Sequence, residues 1–151
     1  MDVTDRKLLS LLQQNAKLTM KELSNELGLS ITPIYERLKR LERNKTILGY
    51  EARVDESQAG FALEVYCCVT LESHKSEFLS NFKSEIQKFD EVMECYHLTG
   101  SFDFLLKVLV KDMDAYAAFV NNRLSKLQNV GLVQSMMVLD RVKRKSILPA
   151  F

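Results

Sequence analysis

The stretch from Ser30 to Lys45 sets Thr32, Tyr35, Glu36, Lys39, Arg40 and Arg43 at helical intervals around an apolar stripe of Ile34, Leu38 and Leu41. At about 100° per residue the apolar side chains share one face of a helix and the polar ones cover the opposite face. Hydroxyl, carboxylate and guanidinium groups so placed can read base edges in a major groove, while lysine and arginine neutralise phosphates. Between Ile31 and Lys45, five basic residues (Arg37, Lys39, Arg40, Arg43 and Lys45) stand against Glu36 and Glu42. The whole chain carries a net charge of only +1, and the part from Phe61 onward holds eleven residues of each sign. The positive field is therefore local. A charged helix face standing alone is more often simply solvated, so the residues in front of it decide the reading.

Those residues favour DNA. Thr19 followed three positions later by Glu22 is a capping box that starts a helix, on which Leu23 and Leu27 share one side. Gly28 ends it, as the residue type that tolerates a left-handed C-terminal turn. Ser30 is placed to cap the next helix, and Pro33 is acceptable in its first turn. Two helices around a tight glycine turn, the second polar and basic outside, form a helix-turn-helix of the kind that enters a major groove. The candidate DNA-binding residues are Ser30, Thr32, Pro33, Tyr35, Glu36, Lys39, Arg40 and Arg43. Lys39, Arg40 and Arg43 are expected on phosphates or guanine edges, and Thr32, Tyr35 and Glu36 near bases. Arg37 lies nearer the apolar stripe and is expected in a structural ion pair.

A second group with chemistry to offer is Gly100-Ser101-Phe102-Asp103. Glycine and aspartate are turn formers, so a plain hairpin turn accounts for it. The alternative is a ligand site, with the Asp103 carboxylate on an ammonium and backbone amides near Gly100 on a carboxylate. Cys95 and His97 share a strand face, but two soft ligands fall short of the four that structural zinc takes, and no metal is expected. Cys67, Cys68 and Cys95 lie in apolar runs and read as small buried core residues. With no nucleophile and base at motif spacing, no phosphate loop and only two histidines, the chain does not read as an enzyme, and no cofactor is expected.

The positioning elements follow from periodicity. Leu8, Leu9, Leu11 and Leu12 make a first helix over Asp5 to Gln14, with Thr4 placed to cap it. After Asn44, Thr46 to Leu48 and Tyr50 to Val54 flank Gly49 as short extended segments, either a wing or the start of a linker. Domains are placed at 1–50, with a linker at 51–61 and a second domain at 62–151. That second domain reads as a strand over Leu63 to Leu71, a helix over Ser76 to Phe89 and a strand over Val92 to Thr99. A returning strand over Phe104 to Val110 follows, then a helix capped by Asp112 with Met113 and Tyr116 inward, and a last strand over Leu132 to Val142. The order is that of the split βαβ, ferredoxin-like arrangement. Its strands are apolar on both sides, and no element remains to cover the second face, so self-association is expected. At 151 residues, 46% apolar and 27% charged, the composition is that of a globular protein. No apolar run reaches the roughly 18 residues of a membrane span, and the amino terminus does not read as a signal peptide, so a cytoplasmic location without membrane association is expected.

Over nearly its whole length the chain resembles the Lrp/AsnC group of transcription regulators, named for the leucine-responsive regulatory protein. The matching tracts are Asp5 to Leu12, Leu29-Ser30-Ile31-Thr32-Pro33, Glu36 to Glu42, Ile47 to Tyr50 and Gly100 to Asp103, in this order and spacing. The resemblance implies an α+β chain: an N-terminal helix-turn-helix, winged-helix-like domain and a C-terminal ferredoxin-like βαββαβ (RAM) domain. It implies a sequence-specific regulator acting on double-stranded DNA at a roughly palindromic site, dimeric through its sheet faces and commonly octameric. The implied effector is an amino acid or related metabolite bound between neighbouring subunits. Carried over by position, the pocket takes His97, Thr99, Gly100, Ser101 and Asp103 around the turn. It takes Met113 at the start of the second helix, and Ser135, Met136, Met137 and Val138 on the last strand. Lys45 stands where the family pattern has glycine, and His97 where the leucine-responsive member has an apolar side chain. An architectural DNA-compacting protein, or a small-molecule-binding module without a DNA role, is the competing reading.

Overall fold

The structure, a computed structural model, describes residues 1–144 and 147–148. It divides into two compact units: Met1–Arg53 with the described residues after Arg141, and Val54–Arg141. The tail from Val142, placed by the sequence in the second domain, thus groups with the first, where the Leu148 backbone N–H donates to the Gln13 side-chain oxygen at 2.8 Å.

The first unit is three helices, α1 (Val3–Gln14), α2 (Met20–Leu27) and α3 (Ile31–Arg43). Their apolar stripes meet in a small core in which Leu8, Leu23 and Ile34 are fully buried. The cap of α1 is Asp2 rather than Thr4: Asp2 accepts from the Asp5 N–H, and the Asp5 carboxylate accepts from the Asp2 N–H. An acid three residues from an acid closes the same reciprocal box as Thr19 and Glu22, which is present on α2 as expected. Ser30 sits at the N-cap of α3, but its side chain makes no capping hydrogen bond.

Two of the helices end alike. At Gly28 (φ 65°) the chain turns left-handed and Leu29 N–H returns to Ser24 O. At Lys45 (φ 54°) it does so again, with Lys45 N–H on Glu42 O and Thr46 N–H on Leu41 O. These paired bonds satisfy orphan carbonyls in the Schellman pattern, which glycine usually completes. The residues beyond form no wing: 46–54 contain no strand, and backbone hydrogen bonds from Thr46 and Ile47 fold back onto α3 instead.

The second unit runs β1 (Leu63–Leu71), α4 (Ser76–Ile86), β2 (Val92–His97), β3 (Phe104–Val110), α5 (Met113–Asn122), a 3-10 turn (Leu124–Lys126) and β4 (Val130–Met137). The strands form one antiparallel sheet in the order β2-β3-β1-β4, the ferredoxin-like arrangement read from the sequence. Val65, Cys67 and Val69 of β1 and Phe104, Leu106 and Val108 of β3 point to the helices, where Phe82, Ile86, Tyr116 and Phe119 cover them. The alternate residues Glu64, Tyr66, Cys68, Leu105 and Lys107 lie on the opposite face.

Several boundaries shift. The first helix of this unit stops at Ile86, and α5 at Asn122, where a 3-10 turn takes over. Asn129 (φ 67°) makes the left-handed turn that returns Val130 and Gly131 to the sheet, its side-chain amide on Ser73 O. The last strand ends at Met137 rather than Val142, and β2 ends at His97. Cys95, expected in the core, is exposed, because β2 is an edge strand whose helix-side residues lie at the rim. Met113 is exposed too.

A side chain held left-handed costs about 1–2 kcal/mol, whereas glycine adopts that region freely but loses more entropy on folding. Lys45→Gly is therefore expected to stabilise the first unit by about 0.5–1 kcal/mol, read as a higher midpoint in denaturant titration.

Candidate nucleic-acid interface and ligand site

Thr32, Tyr35, Glu36, Lys39, Arg40 and Arg43 are all exposed along one side of α3, with Ser30 exposed at its start and Pro33 half-buried. Several of these side chains are held. Lys39 Nζ lies 2.9 Å from Glu42 Oε2 and 5.7 Å from the centroid of the Tyr35 ring. The Tyr50 hydroxyl donates to the other Glu42 oxygen at 3.0 Å. Hydrogen bonds from Lys39 and then Tyr50 keep the Glu42 carboxyl below its ordinary range. Burial and this partner push the Tyr50 phenol up to about 12.

Arg37 and Arg40 meet a single carboxylate. Arg37 Nη1 is 2.8 Å from Asp5 Oδ1 and 2.5 Å from Asp2 Oδ2. Arg40 Nη2 is 2.8 Å from both Asp5 oxygens. The ion pair expected of Arg37 is present. Arg40, expected to act only toward DNA, already has part of its guanidinium engaged. Burial alone would raise the Asp5 carboxyl, but the Asp2 N–H, Arg37 and Arg40 outweigh it and hold the group below the ordinary aspartate value.

In the second unit, Gly100 (φ 120°) adopts backbone open to glycine, and His97, Thr99, Gly100 and Ser101 are exposed around the turn. Asp103 ties that turn down. Its N–H donates to Val69 O, its carbonyl accepts from Leu98 N–H, Oδ2 accepts from Leu71 N–H at 2.7 Å, and Oδ1 lies 2.8 Å from His74 Nε2. Against burial, Leu71 and His74 hold the carboxyl below its ordinary value. His97 stacks on Phe104 with centroids 4.8 Å apart.

The remaining residues assigned to the pocket lie elsewhere. Ser135 pairs with Cys67 and Met137 with Val65, whereas Asp103 bonds to Val69 and Leu71 at the far end of β1. Along β1 the two sets lie two to six residues apart, about 7–20 Å, and Met113 follows β3 at the end where Val110 pairs with Leu63, so one copy of the chain holds the turn apart from Met113 and from Ser135 to Val138. Strand alternation also turns Met136 to the opposite face from Ser135 and Met137. Ser135 Oγ accepts from the Tyr116 hydroxyl at 2.5 Å, and that hydroxyl is 3.0 Å from Cys67 Sγ. Burial, then Cys67, holds the Tyr116 phenol well above its ordinary value.

Residues 1–47 match a family model for a winged helix-turn-helix DNA-binding domain, and residues 64–148 match that of the Lrp/AsnC ligand binding domain. The Bkd operon transcriptional regulator of Pseudomonas aeruginosa is 36% identical over 99% of this chain and 97% of its own length. The leucine-responsive regulatory protein of Escherichia coli is 35% identical over 98% of this chain and 90% of its own. A transcriptional regulator from Neisseria meningitidis, solved as a complex with L-Met, superposes with a TM-score of 0.94 at 34% identity, covering 99% of this chain and 96% of that one. The chain belongs to the Lrp/AsnC family. As an Lrp/AsnC protein it is a DNA-binding transcription regulator rather than an enzyme, with a helix-turn-helix unit followed by a ligand-binding unit.

Sequence reasoning overlooked four groups around these sites: Asp2 and Asp5 behind the arginines, His74 on Asp103, and Tyr116 on Ser135. The acid pair was detectable, since Asp-x-x-Asp ahead of a leucine stripe is a capping pattern. The other two are long-range contacts with no local signal.

Both Asp2 and Asp5 titrate below their ordinary values in the folded state. Their contribution is therefore complete above about pH 4, the unfolded aspartate range, and is lost as the pH falls through the depressed folded values. Acid titration of the first unit is expected to show stability dropping below that point, with a shallower drop in Asp5→Asn. The same variant is expected to lose about 1–3 kcal/mol at neutral pH, because the arginines it strands are themselves partly exposed.

Proposed function

We propose that the outer face of α3 reads a DNA major groove, with Lys39, Arg40 and Arg43 on phosphates or guanine edges and Ser30, Thr32, Pro33, Tyr35 and Glu36 along the bases. What carries this reading is a continuous exposed row of hydrogen-bonding and cationic side chains on a helix whose other face is locked into a three-helix core. The domain division at 1–50, 51–61 and 62–151 follows, amended by the grouping of the tail with the first unit.

The second unit binds an amino acid or related metabolite, as the Neisseria regulator was solved with L-Met. His97, Thr99, Gly100, Ser101 and Asp103 form one half of that site. Met113, Ser135, Met137 and Val138 form the other, with Met136 on the opposite face of β4, too distant along the sheet to meet the turn in one copy. A second copy of the chain therefore completes the site. The helix-free sheet face, with Tyr66, Cys68 and Leu105 on it, supplies the contact for dimerisation, and larger closed assemblies such as octamers follow the same logic. A two-fold dimer reads a roughly palindromic site with half-sites about one helical turn, or a multiple, apart. The effector acts by linkage, shifting DNA affinity by its differential affinity for the assemblies. The protein works in the cytoplasm, where its DNA lies.

Selection of bound fragments from sheared genomic DNA, repeated with each amino acid, tests this. A recurring palindrome whose occupancy changes with one amino acid is expected. Enrichment without a motif and with a steep salt dependence would favour an architectural role instead. In the same assay Asp103→Asn, which keeps an acceptor for Leu71 N–H but removes the charge, is expected to lose the amino-acid response while binding DNA normally. A full response in that variant rejects the role given to Asp103.

A further inference from the structure

We infer that Asp5, buried behind the reading head, is a specificity-determining positioning residue that aims Arg40 at a base edge. The inference rests on the DNA-binding reading of α3.

Asp5 is 2% exposed, so its carboxylate does not itself reach DNA. Both its oxygens stand 2.8 Å from Arg40 Nη2, and the same carboxylate takes Arg37 Nη1 at 2.8 Å. Its own position is fixed by the Asp2 N–H at 3.1 Å and by the reciprocal cap at the start of α1. One end of the Arg40 guanidinium is thereby held against α1. The Nε and Nη1 hydrogens are left for DNA, pinning Nη2 narrows the orientations open to the guanidinium plane, and the side chain is 45% exposed. A planar donor fork discriminates bases only when its plane is aligned with the base edge. An arginine free to rotate neutralises a phosphate equally well but reads nothing. A carboxylate that pins one nitrogen also offsets the charge, so it favours readout over general attraction to the backbone.

This distinguishes three roles for Asp5. If it only stabilises the fold, Asp5→Asn lowers binding to every DNA alike. If it only screens Arg40, the variant binds every DNA more tightly. If it aims Arg40, binding to the cognate site falls while binding to unrelated sequence holds or rises.

The experiment uses the full chain at a temperature where all variants are folded. The probes are the highest-affinity duplex selected by the wild-type protein and a scrambled duplex of the same composition, at one salt concentration. The expected result is a loss of about tenfold in the ratio of the two affinities for Asp5→Asn, the scale of one lost base contact. Arg40→Ala should show a similar loss, and the double variant no further loss. Arg37→Ala provides the stability control: it also disrupts the Asp5 cluster but leaves the Arg40 contact, and should keep the wild-type ratio. Parallel changes on both duplexes, or losses that add in the double variant, overturn the inference while leaving α3 as the reading helix. An unchanged ratio in Arg40→Ala overturns it together with the base-reading role of Arg40, and loss of all binding preference in the wild type removes the reading on which both stand.

Discussion

A carboxylate taken out of water is strongly unfavourable unless it is paired and hydrogen-bonded, and Asp5 meets that condition in only one arrangement of the first unit. Its oxygens must be reached by two arginines from α3 and by the backbone of its own helix cap. The three-helix core is small, with seven buried apolar residues from Leu8 to Leu41. A core of this size leaves the unit marginal on apolar burial alone, and leucines by themselves tolerate rotation and sliding of one helix on another. The shared carboxylate is directional where the leucines are not. The stripe of Ile34, Leu38 and Leu41 sets which side of α3 faces inward, and the carboxylate fixes how Arg37 and Arg40 leave that helix.

The second unit uses an aspartate in a related way. Asp103 closes the β2–β3 turn on Leu98 and ties it to Val69 and Leu71 at the end of β1 and to His74 beyond it, with two contacts from its backbone and two from its carboxylate. A ligand that places a cation there meets a carboxylate already ionised and held in position, so little reorganisation accompanies binding. The His74 ring on Oδ1 is exposed, as is Leu98, whereas Val69 and Leu71 are buried. Ser135 and Met137, paired with Cys67 and Val65, lie toward the other end of the sheet.

Much of this was legible in the sequence where local physics decides it. The Thr19 box, the Gly28 turn, the apolar stripe of α3, the span of β1 and β3 and the succession of strands and helices along the chain follow from spacing and turn chemistry. The failures share a cause. Extended propensity in Thr46 to Leu48 left a wing and a linker equally open, and the left-handed turn at Lys45, which folds the Thr46 and Ile47 amides back onto α3, excludes the wing. Cys95 lies in an apolar run yet is exposed, because sequence does not say which strand sits at an edge. For the DNA-facing row, exposure was predictable from helical periodicity. The engagement of Arg40 with a residue 35 positions away was not.

The charges on α3 also explain how a reading head can be selective while the chain is nearly neutral. Lys39 is shared with Glu42, and Arg40 with Asp5. Each pairing lowers the attraction to the phosphate backbone, the sequence-independent part of DNA affinity that is lost fastest as salt rises. Each also holds a long side chain that would otherwise sample many rotamers. A regulator competes against a vast excess of unrelated sequence, so reducing general attraction while fixing donor geometry raises the ratio that matters.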